Sequence, residues 1–345
     1  MTGHQSVCFE QGVFVTSSSA VGGEKEGQGP LRDYFDLIAE DNMLGAETWE
    51  EAESYFQINA LRIALRKANL TEKEIRYLLS GDLLGQMMAS TFGCGSAQIP
   101  MFGLYGACST CGEALSLGSM LVSAGYAKHV ACVTSSHFAS AEKEFRNPLN
   151  YGSQRPLSAT WTVCGSGAYI LSSEKQENCH AKITGVTTGI VTDYEIKDSM
   201  NMGAAMAPAA AQVIAAHFRD FSSGPEDYDQ IITGDLGVVG QQALFYLLKD
   251  QGYNIMGKHS DCGIEIYGRE MEEDKASDCG LDTHSGGSGC GCAATVLATK
   301  ILRNIVSGVW RKVLFVPTGA LLSKTSFNEG KTIPGIAHGV RIEKC

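Results

Sequence analysis

Basic residues are scarce in this sequence, which has 27 Lys and Arg residues against 38 Asp and Glu residues and a net charge of −11 at pH 7. Nonspecific binding of nucleic acid requires a basic surface that displaces counterions from phosphates. The composition therefore excludes nucleic acid as a partner. A small anionic ligand would have to be held by local N–H groups or by a few well-placed cations, against the field of the whole chain.

The sequence also lacks an apolar run of the ~18 to 20 residues that a membrane-spanning helix needs. Its most apolar stretch, residues 204–218, is interrupted by Pro, Gln and His and predicts a buried helix with Pro208 near the first turn. The N-terminus, MTGHQSVCFEQ, has no basic-then-apolar signal, so we expect a protein kept in a reducing interior. We therefore expect any contact with a membrane to be made through partner proteins.

Twelve cysteines do not by themselves indicate a disulfide framework or a metal site. A chain of 345 residues that is 44% hydrophobic can build a core without disulfides. Cys108-Ser-Thr-Cys111 and Cys290-Gly-Cys292 lack the paired, loop-borne C-x-x-C spacing of structural zinc sites. We therefore predict no metal ligands and no cofactor, and the terminal Cys345 is uninformative.

The chain repeats itself at long range. Residues 106–136 align without a gap on residues 289–319, and each segment reads as a glycine turn, a helix, a Gly C-cap and a buried strand. Residues 78–85 align on residues 231–238, and each of these predicted strands ends in Gly-Asp. The two alignments differ in offset by about 30 residues, which predicts an insertion within the polar, turn-rich segment 254–285.

Two copies of alternating strands and helices predict an α/β fold with two duplicated β-α-β halves, residues 1–178 and 179–345. We expect mostly parallel sheets that are covered by helices on both faces. Two such halves packed about a pseudo-twofold axis would bring their strand ends to one crevice. Asp82, Asp235 and Cys108 are therefore expected close to one another.

Three segments fall outside the repeat, namely residues 20–48, 137–159 and 192–206. All three are rich in Gly, Asn, Asp or Ser. Such compositions are typical of loops. We predict that the three segments form loops over the crevice.

Several motifs together resemble one known family. They are GDLL, LYGACST, TSSHFASAEKEFRNPLNYG, GSGA, DSMNMGAAMAPAA, IITGDL, GGSGCGCAA, PTGALLS and IAHGV. In combination, over nearly the whole chain, they resemble the stage V sporulation protein AD family of thiolase-like proteins. The resemblance implies the layered αβαβα arrangement of thiolases and ketoacyl synthases. It also implies a homodimer, formed through an edge strand of the first half at residues 99–104.

The resemblance further implies a ligand and a location. The family binds dipicolinic acid (pyridine-2,6-dicarboxylic acid) at the inner membrane of the bacterial spore. It works as a peripheral protein beside the integral membrane proteins of the SpoVA complex, which move this acid with calcium. Dipicolinic acid, accompanied in one hypothesis by Ca²⁺, and those membrane proteins are therefore the expected partners.

Cys108 follows a Gly-Ala turn at the start of a predicted helix, where N–H groups and the helix dipole favour a thiolate. Enzymes of the thiolase fold add a histidine at the end of the strand that here ends in Asp235, or in a later turn that here reads GGSGCGC. They also have a cysteine in the final turn, where this sequence has Gly335. A carboxylate beside the thiol would raise its pKa.

The sequence therefore favours binding over catalysis, with Cys108 as a vestigial nucleophile. The alternative is an acyltransferase or condensing enzyme that uses Cys108 with His338 or, from the insertion, His137. Asp82 and Asp235 each precede an apolar, helix-like run, which favours N-capping, although carboxylates also bind calcium. His137 is expected to bond within its own loop.

A flat dicarboxylate needs N–H donors at both ends and apolar walls on its faces. We expect the first end at the helix start after Cys108 and the second at the turn Gly286-Gly-Ser288-Gly. The predicted ligand-binding residues are Cys108, Ser109, Thr110, Asp82, His137, Asp235, Gly287, Ser288 and His338.

Overall fold

Strands and helices alternate along the chain in the computed structural model, which describes residues 2–146, 155–177, 179–268 and 281–345. The strands are β1 (Ser6–Gly22), β2 (Leu37–Ile38), β3 (Tyr77–Gly81), β4 (Met101–Gly103), β5 (His129–Ser136), β6 (Trp161–Thr162), β7 (Gly165–Ser172), β8 (Ala181–Thr188), β9 (Gln230–Gly234), β10 (His259–Asp261), β11 (Gly287–Ser288), β12 (Lys312–Ala320) and β13 (Gly335–Glu343). The helices are α1 (Trp49–Ala68), α2 (Met88–Gly95), α3 (Thr110–Ser123), α4 (Phe138–Glu142), α5 (Met202–Asp220), α6 (Gly237–Asp250), α7 (Cys262–Tyr267), α8 (Cys290–Val296), α9 (Leu302–Ser307) and α10 (Lys324–Asn328). A π-helical turn, Leu297–Ile301, joins α8 to α9.

The main sheet repeats one strand order on both sides of its centre. Its order is β10-β9-β12-β13-β8-β1-β7-β5-β3-β4, with β2 paired to β1. Read outward from the central β8–β1 pair, the two sides are equivalent strand by strand, and β3 and β9 are the strands that the repeat aligned. The predicted duplicated α/β fold is confirmed, while the boundary between residues 178 and 179 stays a prediction.

The expectation of mostly parallel sheets is wrong. In the main sheet the outer neighbours β4–β3–β5 and β10–β9–β12 and the short pair β1–β2 are parallel, whereas β5–β7, β7–β1, β1–β8, β8–β13 and β13–β12 are antiparallel. Parallel neighbours require a helical crossover. Helices cross over between β3 and β5 and between β9 and β12, whereas the long central strands from β5 to β12 in the sheet order pair antiparallel.

The helices form three layers around the two sides of the sheet. Helix α3 contacts β5 of the first half and β12 and β13 of the second, while α8 contacts β5 and β7. These two helices are thus the middle layer. Helix α1 covers β1, β5 and β7, and α5 covers β12 and β13. The arrangement is the predicted αβαβα stack, with one apolar core in the middle and one under each outer layer.

The small side chains of residues 204–218 lie in α5, as predicted, and are almost all buried. Pro208 lies in the second turn of this helix, one turn deeper than expected. Alanine allows α5 to approach the sheet closely, and a Cβ at Gly335 would come within 2.8 Å of the carbonyl oxygen of Ala205. Among the described residues, no helix is both long and apolar enough to span a membrane.

The predicted loops contain more regular structure than expected. Residues 20–48 include the end of β1 and all of β2, residues 137–159 include α4, and residues 192–206 include the start of α5. The predicted insertion, residues 254–285, contains β10 and α7 in its described part. Residues 147–154 and 269–280 lie outside the described residues.

One pair of cysteines differs from the sequence-based expectation. Cys179 and Cys345 form a disulfide, while nine other cysteines are free among the described residues. The pairing of β8 with β13 places Lys182 opposite Glu343, which brings the neighbouring Cys179 and Cys345 together. Cys345 is therefore structurally informative, because the sheet register determines its partner.

A buried polar network connects α1 to β5 and α4. The fully buried Glu53 accepts hydrogen bonds from Ser135 Oγ (2.8 Å) and Ser140 Oγ (2.7 Å). Gln57 Nε2 donates to Ser135 Oγ at 2.8 Å and to Ser90 Oγ at 3.0 Å. Burial, followed by the nearby charge of Asp82, raises the pKa of Glu53 to about 8. The folded protein therefore holds a proton that the unfolded chain would release.

Glu53→Gln should reduce the loss of stability at alkaline pH. Because the folded-state pKa of Glu53 is raised, its contribution to stability is complete below the unfolded pKa and is lost as pH rises through about 8. Between pH 6 and 9 the variant should lose about 3 kcal/mol less free energy of unfolding than the wild type. Urea unfolding measures the difference, with the exposed Glu10→Gln as the control. An equal loss in both variants would contradict the prediction.

Candidate functional site

A crevice of about 530 Å³ opens at the carboxyl ends of β3 and β5, where α10 and the segment after α4 also meet. Ligands in α/β folds bind outside the carboxyl ends of the strands. The residues around the crevice are Leu83, Leu84, Gly85, Gln86, Met87, Gly103, Tyr105, Ala107, Cys108, Ala141, Glu144, Phe145, Arg146, Ala159, Thr160, Thr162, Ser199, Met200, Met202, Ser288, Gly289, Ala320, Leu322, Ser323, Lys324 and Thr325.

Two of the three predicted loop segments border this crevice, and the third does not. Residues 137–159 contribute Arg146 and its neighbours, and residues 192–206 contribute Met200 and its neighbours. Residues 20–48 contribute no lining residue, so their predicted position is wrong. This segment lies along β1 instead, because its strand β2 pairs in parallel with Val21 and Gly22 of β1.

Cys108 lies at the wall of the crevice on a tight turn before α3. The turn is built around Ala107, which has a φ of 50°, a left-handed conformation that is rare for a residue with a Cβ. The Cys108 side chain is buried but borders the cavity. The predicted position of this thiol, on a strand-to-helix turn facing a crevice, is therefore what the structure has.

Ser109 and Thr110 do not provide the predicted anion site. Their N–H groups already donate to the carbonyl oxygens of Gly106 (3.0 Å) and Ala107 (3.1 Å). Their hydroxyl groups donate to the same two carbonyls, both at 2.6 Å. Both residues are fully buried and neither lines the crevice. The N–H and hydroxyl donors of both residues are therefore already bonded within the turn. The spacing of residues in the sequence does not reveal these bonds.

Asp235 is not the N-cap of α6. Asp261, at the end of β10, takes that role, because its carboxylate accepts from the N–H groups of Leu236 and Gly237, both at 2.9 Å. Neither oxygen of the buried Asp235 has a full hydrogen bond. Its charge is nevertheless affected by the thiols of Cys108 and Cys292 and by the N–H of Gly289. Asp235 thus faces the cysteine instead of the helix.

The pairing of Cys108 with Asp235 opposes formation of a thiolate. Burial raises the pKa of the Cys108 thiol well above its usual range, and the nearby Asp235 carboxylate raises it further. Burial likewise raises the pKa of Asp235 far above that of a free carboxyl group. A buried, uncompensated charge is unfavourable on either group. Cys108 is therefore a protonated thiol near pH 7 and is not an activated nucleophile.

Asp82 supports the rim of the crevice instead of lining it. Its Oδ1 accepts from the N–H of Leu84 (2.8 Å), and its Oδ2 accepts from the N–H and hydroxyl of Ser90 (2.8 and 2.6 Å). Ser90 lies in the first turn of α2. Asp82 is thus a capping residue, as the sequence favoured, and it holds the lining segment that begins at Leu83.

The second-half turn reaches the crevice through Ser288 and Gly289, whereas Gly287 does not line it. Gly287 and Ser288 form β11, which pairs with β6. Ser288 Oγ accepts from Thr160 Oγ1 at 2.9 Å, so these two hydroxyl groups form one polar edge. The N–H of Gly289 stabilises charge on Cys108 and Asp235.

Neither predicted histidine lines the crevice. His137 caps α4 by accepting from the N–H of Ala139 (3.2 Å), and its Nε2 lies 2.7 Å from the carbonyl oxygen of Asn42. His338 is buried, and burial lowers its pKa to about 4. Its Nδ1 accepts a long bond of 3.5 Å from the N–H of Gly189. Neither imidazole is among the groups that chiefly shift the pKa of the Cys108 thiol.

Two cations at the crevice were not predicted. Arg146 follows α4 and forms an ion pair with Glu142, with 2.6 Å between Nε and Oε2. Lys324 begins α10, is exposed, and has no ion-pair partner among the described residues. Arg146 lies in a motif that the resemblance used, TSSHFASAEKEFRNPLNYG, and Lys324 directly follows another, PTGALLS. Nothing in the spacing of these two residues indicated a shared cavity.

No group of three or more His, Cys, Asp and Glu side chains is arranged to hold a metal ion within the ranges that the structure describes. Asp82 is committed to backbone and serine donors, and Asp235 lies against thiols. The two carboxylates that the sequence suggested for calcium therefore serve other groups.

The sequence matches the family described as stage V sporulation protein AD over residues 3–343. The stage V sporulation protein AD of Bacillus subtilis strain 168 is 41% identical over 345 residues, which cover 100% of this chain and 98% of that protein.

Two solved structures show the fold. The 3-oxoacyl-[acyl-carrier-protein] synthase III from Aquifex aeolicus VF5 has a TM-score of 0.57 at 14% identity, covering 96% of this chain and 100% of that one. A variant of OleA from Xanthomonas campestris has a TM-score of 0.58 at 14% identity, covering 99% and 100%. At this level of identity the similarity establishes a thiolase-like fold and nothing further.

Asp235→Asn should make Cys108 more reactive. The substitution removes a group that raises the thiol pKa and supplies an amide N–H of similar size, so the thiolate fraction at a fixed pH should increase. We expect iodoacetamide to label Cys108 about tenfold faster at pH 8.5. Peptide mass spectrometry measures the rate, and the exposed Cys8 in the same sample is the control. An unchanged rate for Cys108 would contradict the prediction.

Proposed function

This chain belongs to the stage V sporulation protein AD family of sporulation proteins with a thiolase-like fold, and we propose that it is a noncatalytic receptor for dipicolinic acid. In this proposal the crevice beside Cys108 holds the pyridine ring and its two carboxylates. The observation that carries the proposal is the contact of Cys108 with Asp235. Cys108 lies at the wall of the crevice, and burial together with the Asp235 carboxylate keeps its thiol protonated.

Catalysis by acyl transfer needs a thiolate and a group that moves protons. Loss of such a partner generally reduces the rate by several orders of magnitude. Here the buried carboxyl of Asp235 raises the thiol pKa, and His137 and His338 bond elsewhere. The retained cavity is therefore better suited to binding than to chemistry.

The charges at the crevice match a dicarboxylate. Arg146 and Lys324 both line the cavity, so the number of cations matches the number of carboxylates on the ligand. The ion pair with Glu142 orients Arg146, and Lys324 has no competing acid in the described ranges. Glu144 is the acidic residue in the lining. Charge-assisted hydrogen bonds to carboxylates are among the stronger polar contacts in proteins.

The uncharged walls match the faces of an aromatic ring. Tyr105, Phe145, Met87 and Met200 line the cavity, and methionine and aromatic side chains pack favourably on rings. The volume of about 530 Å³ falls within the range of ~300 to 1,000 Å³ that is usual for small-molecule sites. The hydroxyl groups of Ser288 and Thr160 add neutral donors at one edge.

Isothermal titration calorimetry with pyridine-2,6-dicarboxylate tests the proposal. The wild type should bind this acid and should bind pyridine-2,5-dicarboxylate at least about tenfold more weakly, because the second carboxylate then points away from its cation. Lys324→Met should weaken binding of the 2,6-isomer about tenfold. Lys331→Met, which changes an exposed lysine on the same segment, is the matched control and should leave binding unchanged.

Equal binding of both isomers, or none, would refute the receptor role. The competing function is that of a condensing enzyme or acyltransferase, which the fold of the neighbouring structures favours. Incubation with acyl-CoA distinguishes the two. A stable thioester on Cys108 that is absent from Cys108→Ala would replace the proposed receptor with the enzyme.

Family membership also supports a proposed location. We propose that the chain works at the spore inner membrane beside integral membrane proteins of the SpoVA complex, with calcium accompanying the acid. Fractionation of spores tests this placement. The chain should be recovered with the inner membrane only when those membrane proteins are present, and recovery without them would contradict the proposal.

We further propose a homodimer through β4, which is the outermost strand of the first half. An edge strand presents unpaired N–H and C=O groups to a second chain. The side chain of Phe102 on this strand is 51% exposed, and that of Phe92 on the preceding helix α2 is 70% exposed. Such exposed aromatic groups are typical of interfaces.

Phe102→Lys should convert the dimer to a monomer, because a charge in the centre of an apolar interface is not compensated. Sedimentation velocity at micromolar concentration measures the change. Tyr126→Lys, at a side chain that is 70% exposed beyond the end of α3, is the control and should remain dimeric. A monomeric wild type would contradict the proposed dimer.

A further inference from the structure

A second cavity, of about 420 Å³, lies where the end of α1 meets α9 and the residue that precedes β8. It shares no lining residue with the crevice at Cys108. Strand β1 and helix α1 of the first half form one side, and α9 of the second half forms the other. The lining residues are Ser18, Tyr34, Asp36, Lys67, His180, Ala298, Leu302, Arg303, Val306 and Ser307.

The acidic residue of this cavity is already neutralised. Asp36 forms an ion pair with Lys67 at 2.6 Å and accepts a hydrogen bond from the N–H of Ala20 at 3.0 Å. Lys67 Nζ also donates to the carbonyl oxygen of Ser18 at 2.9 Å. The charges of Asp36 and Lys67 therefore offset each other, and both side chains are held in place.

Arg303 brings an uncompensated positive charge to the same cavity. Its guanidinium lies 4.3 Å from the centre of the Tyr34 ring. Across the described ranges, no carboxylate forms an ion pair with it. An aromatic face orients a guanidinium but leaves its five N–H donors available. The chain as a whole has a net charge of −11 and repels anions. An arginine that forms no ion pair can nevertheless attract an anion to its own cavity.

The opposite side of the cavity is apolar. Ala298, Leu302 and Val306 line it, and Val306 remains 52% exposed. Ala298 belongs to the π-helical turn that precedes α9. Such turns interrupt the regular helix and occur frequently at functional sites. The cavity therefore combines one free cation, an aromatic ring and an aliphatic wall.

We infer that this cavity is a binding site for a small organic monoanion, a carboxylate with an aromatic or aliphatic body. The carboxylate pairs with Arg303, and the body packs on Tyr34, Leu302 and Val306. One uncompensated cation matches one anionic group, which distinguishes this site from the two-cation crevice proposed for a dicarboxylate. The inference stands independently of the ligand at that crevice.

Ligand-observed NMR titration with phenylpropionate tests the inference. We expect saturable binding, with phenylpropionamide at least about fivefold weaker because it lacks the charge. Acetate, which has the charge without the apolar body, should bind more weakly than phenylpropionate. Arg303→Gln should weaken binding of phenylpropionate about tenfold, and Arg303→Lys should retain part of the affinity.

Arg62→Gln is the matched control and should bind like the wild type. Arg62 is an exposed arginine on α1, whereas Arg303 lies on α9. Lys324→Met should also bind phenylpropionate normally, because Lys324 lines only the other cavity. An unchanged melting temperature for Arg303→Gln verifies its fold. Three results would overturn the inference: no saturable binding to the wild type, equal binding by Arg303→Gln, or loss of binding in Lys324→Met.

Discussion

The contact between the Cys108 thiol and the Asp235 carboxyl is the constraint on which the interpretation of the crevice depends. Both groups are buried, and the Asp235 carboxylate raises the free energy of a thiolate at Cys108. A protonated thiol at the wall of a cavity leaves the shape of the cavity intact. The same fold occurs in a condensing enzyme and in this family of sporulation proteins, so the fold alone does not determine the function.

Duplication explains how Asp235 became available for this contact. The strands β3 and β9 end in the same dipeptide, Gly-Asp, yet their two carboxylates make different bonds. Asp82 accepts from the backbone of Leu84 and the first turn of α2. In the second half Asp261 takes the equivalent N–H groups of α6, so Asp235 is left without them. In the first half, Asp82 holds the segment at the rim of the crevice. In the second half, Asp235 raises the pKa of the Cys108 thiol.

The two cavities illustrate how an acidic chain can attract anions. The whole molecule repels them, so attraction must come from individual cations that no acid neutralises. Lys324 at the crevice and Arg303 at the second cavity both meet that condition among the described residues. Arg146 differs, because its ion pair with Glu142 orients the guanidinium and partly neutralises its positive charge. The number and placement of free cations, more than net charge, separate the ligands that we assign to the two sites.

The sequence by itself determined the duplicated α/β fold, the buried helix at residues 204–218, the turn that carries Cys108 and the family. Periodicity, glycine punctuation and repeats are encoded locally along the chain, so they are visible without coordinates. Only the tertiary structure decided that the sheet is half antiparallel, that Ser109 and Thr110 bond within their turn, and that Asp261 displaces Asp235 as a cap. It also brought Arg146 and Lys324 to one cavity and Cys179 to Cys345. Each of these outcomes depends on which donors, acceptors and charges lie within a few ångströms, and residues far apart in the sequence compete for the same partner.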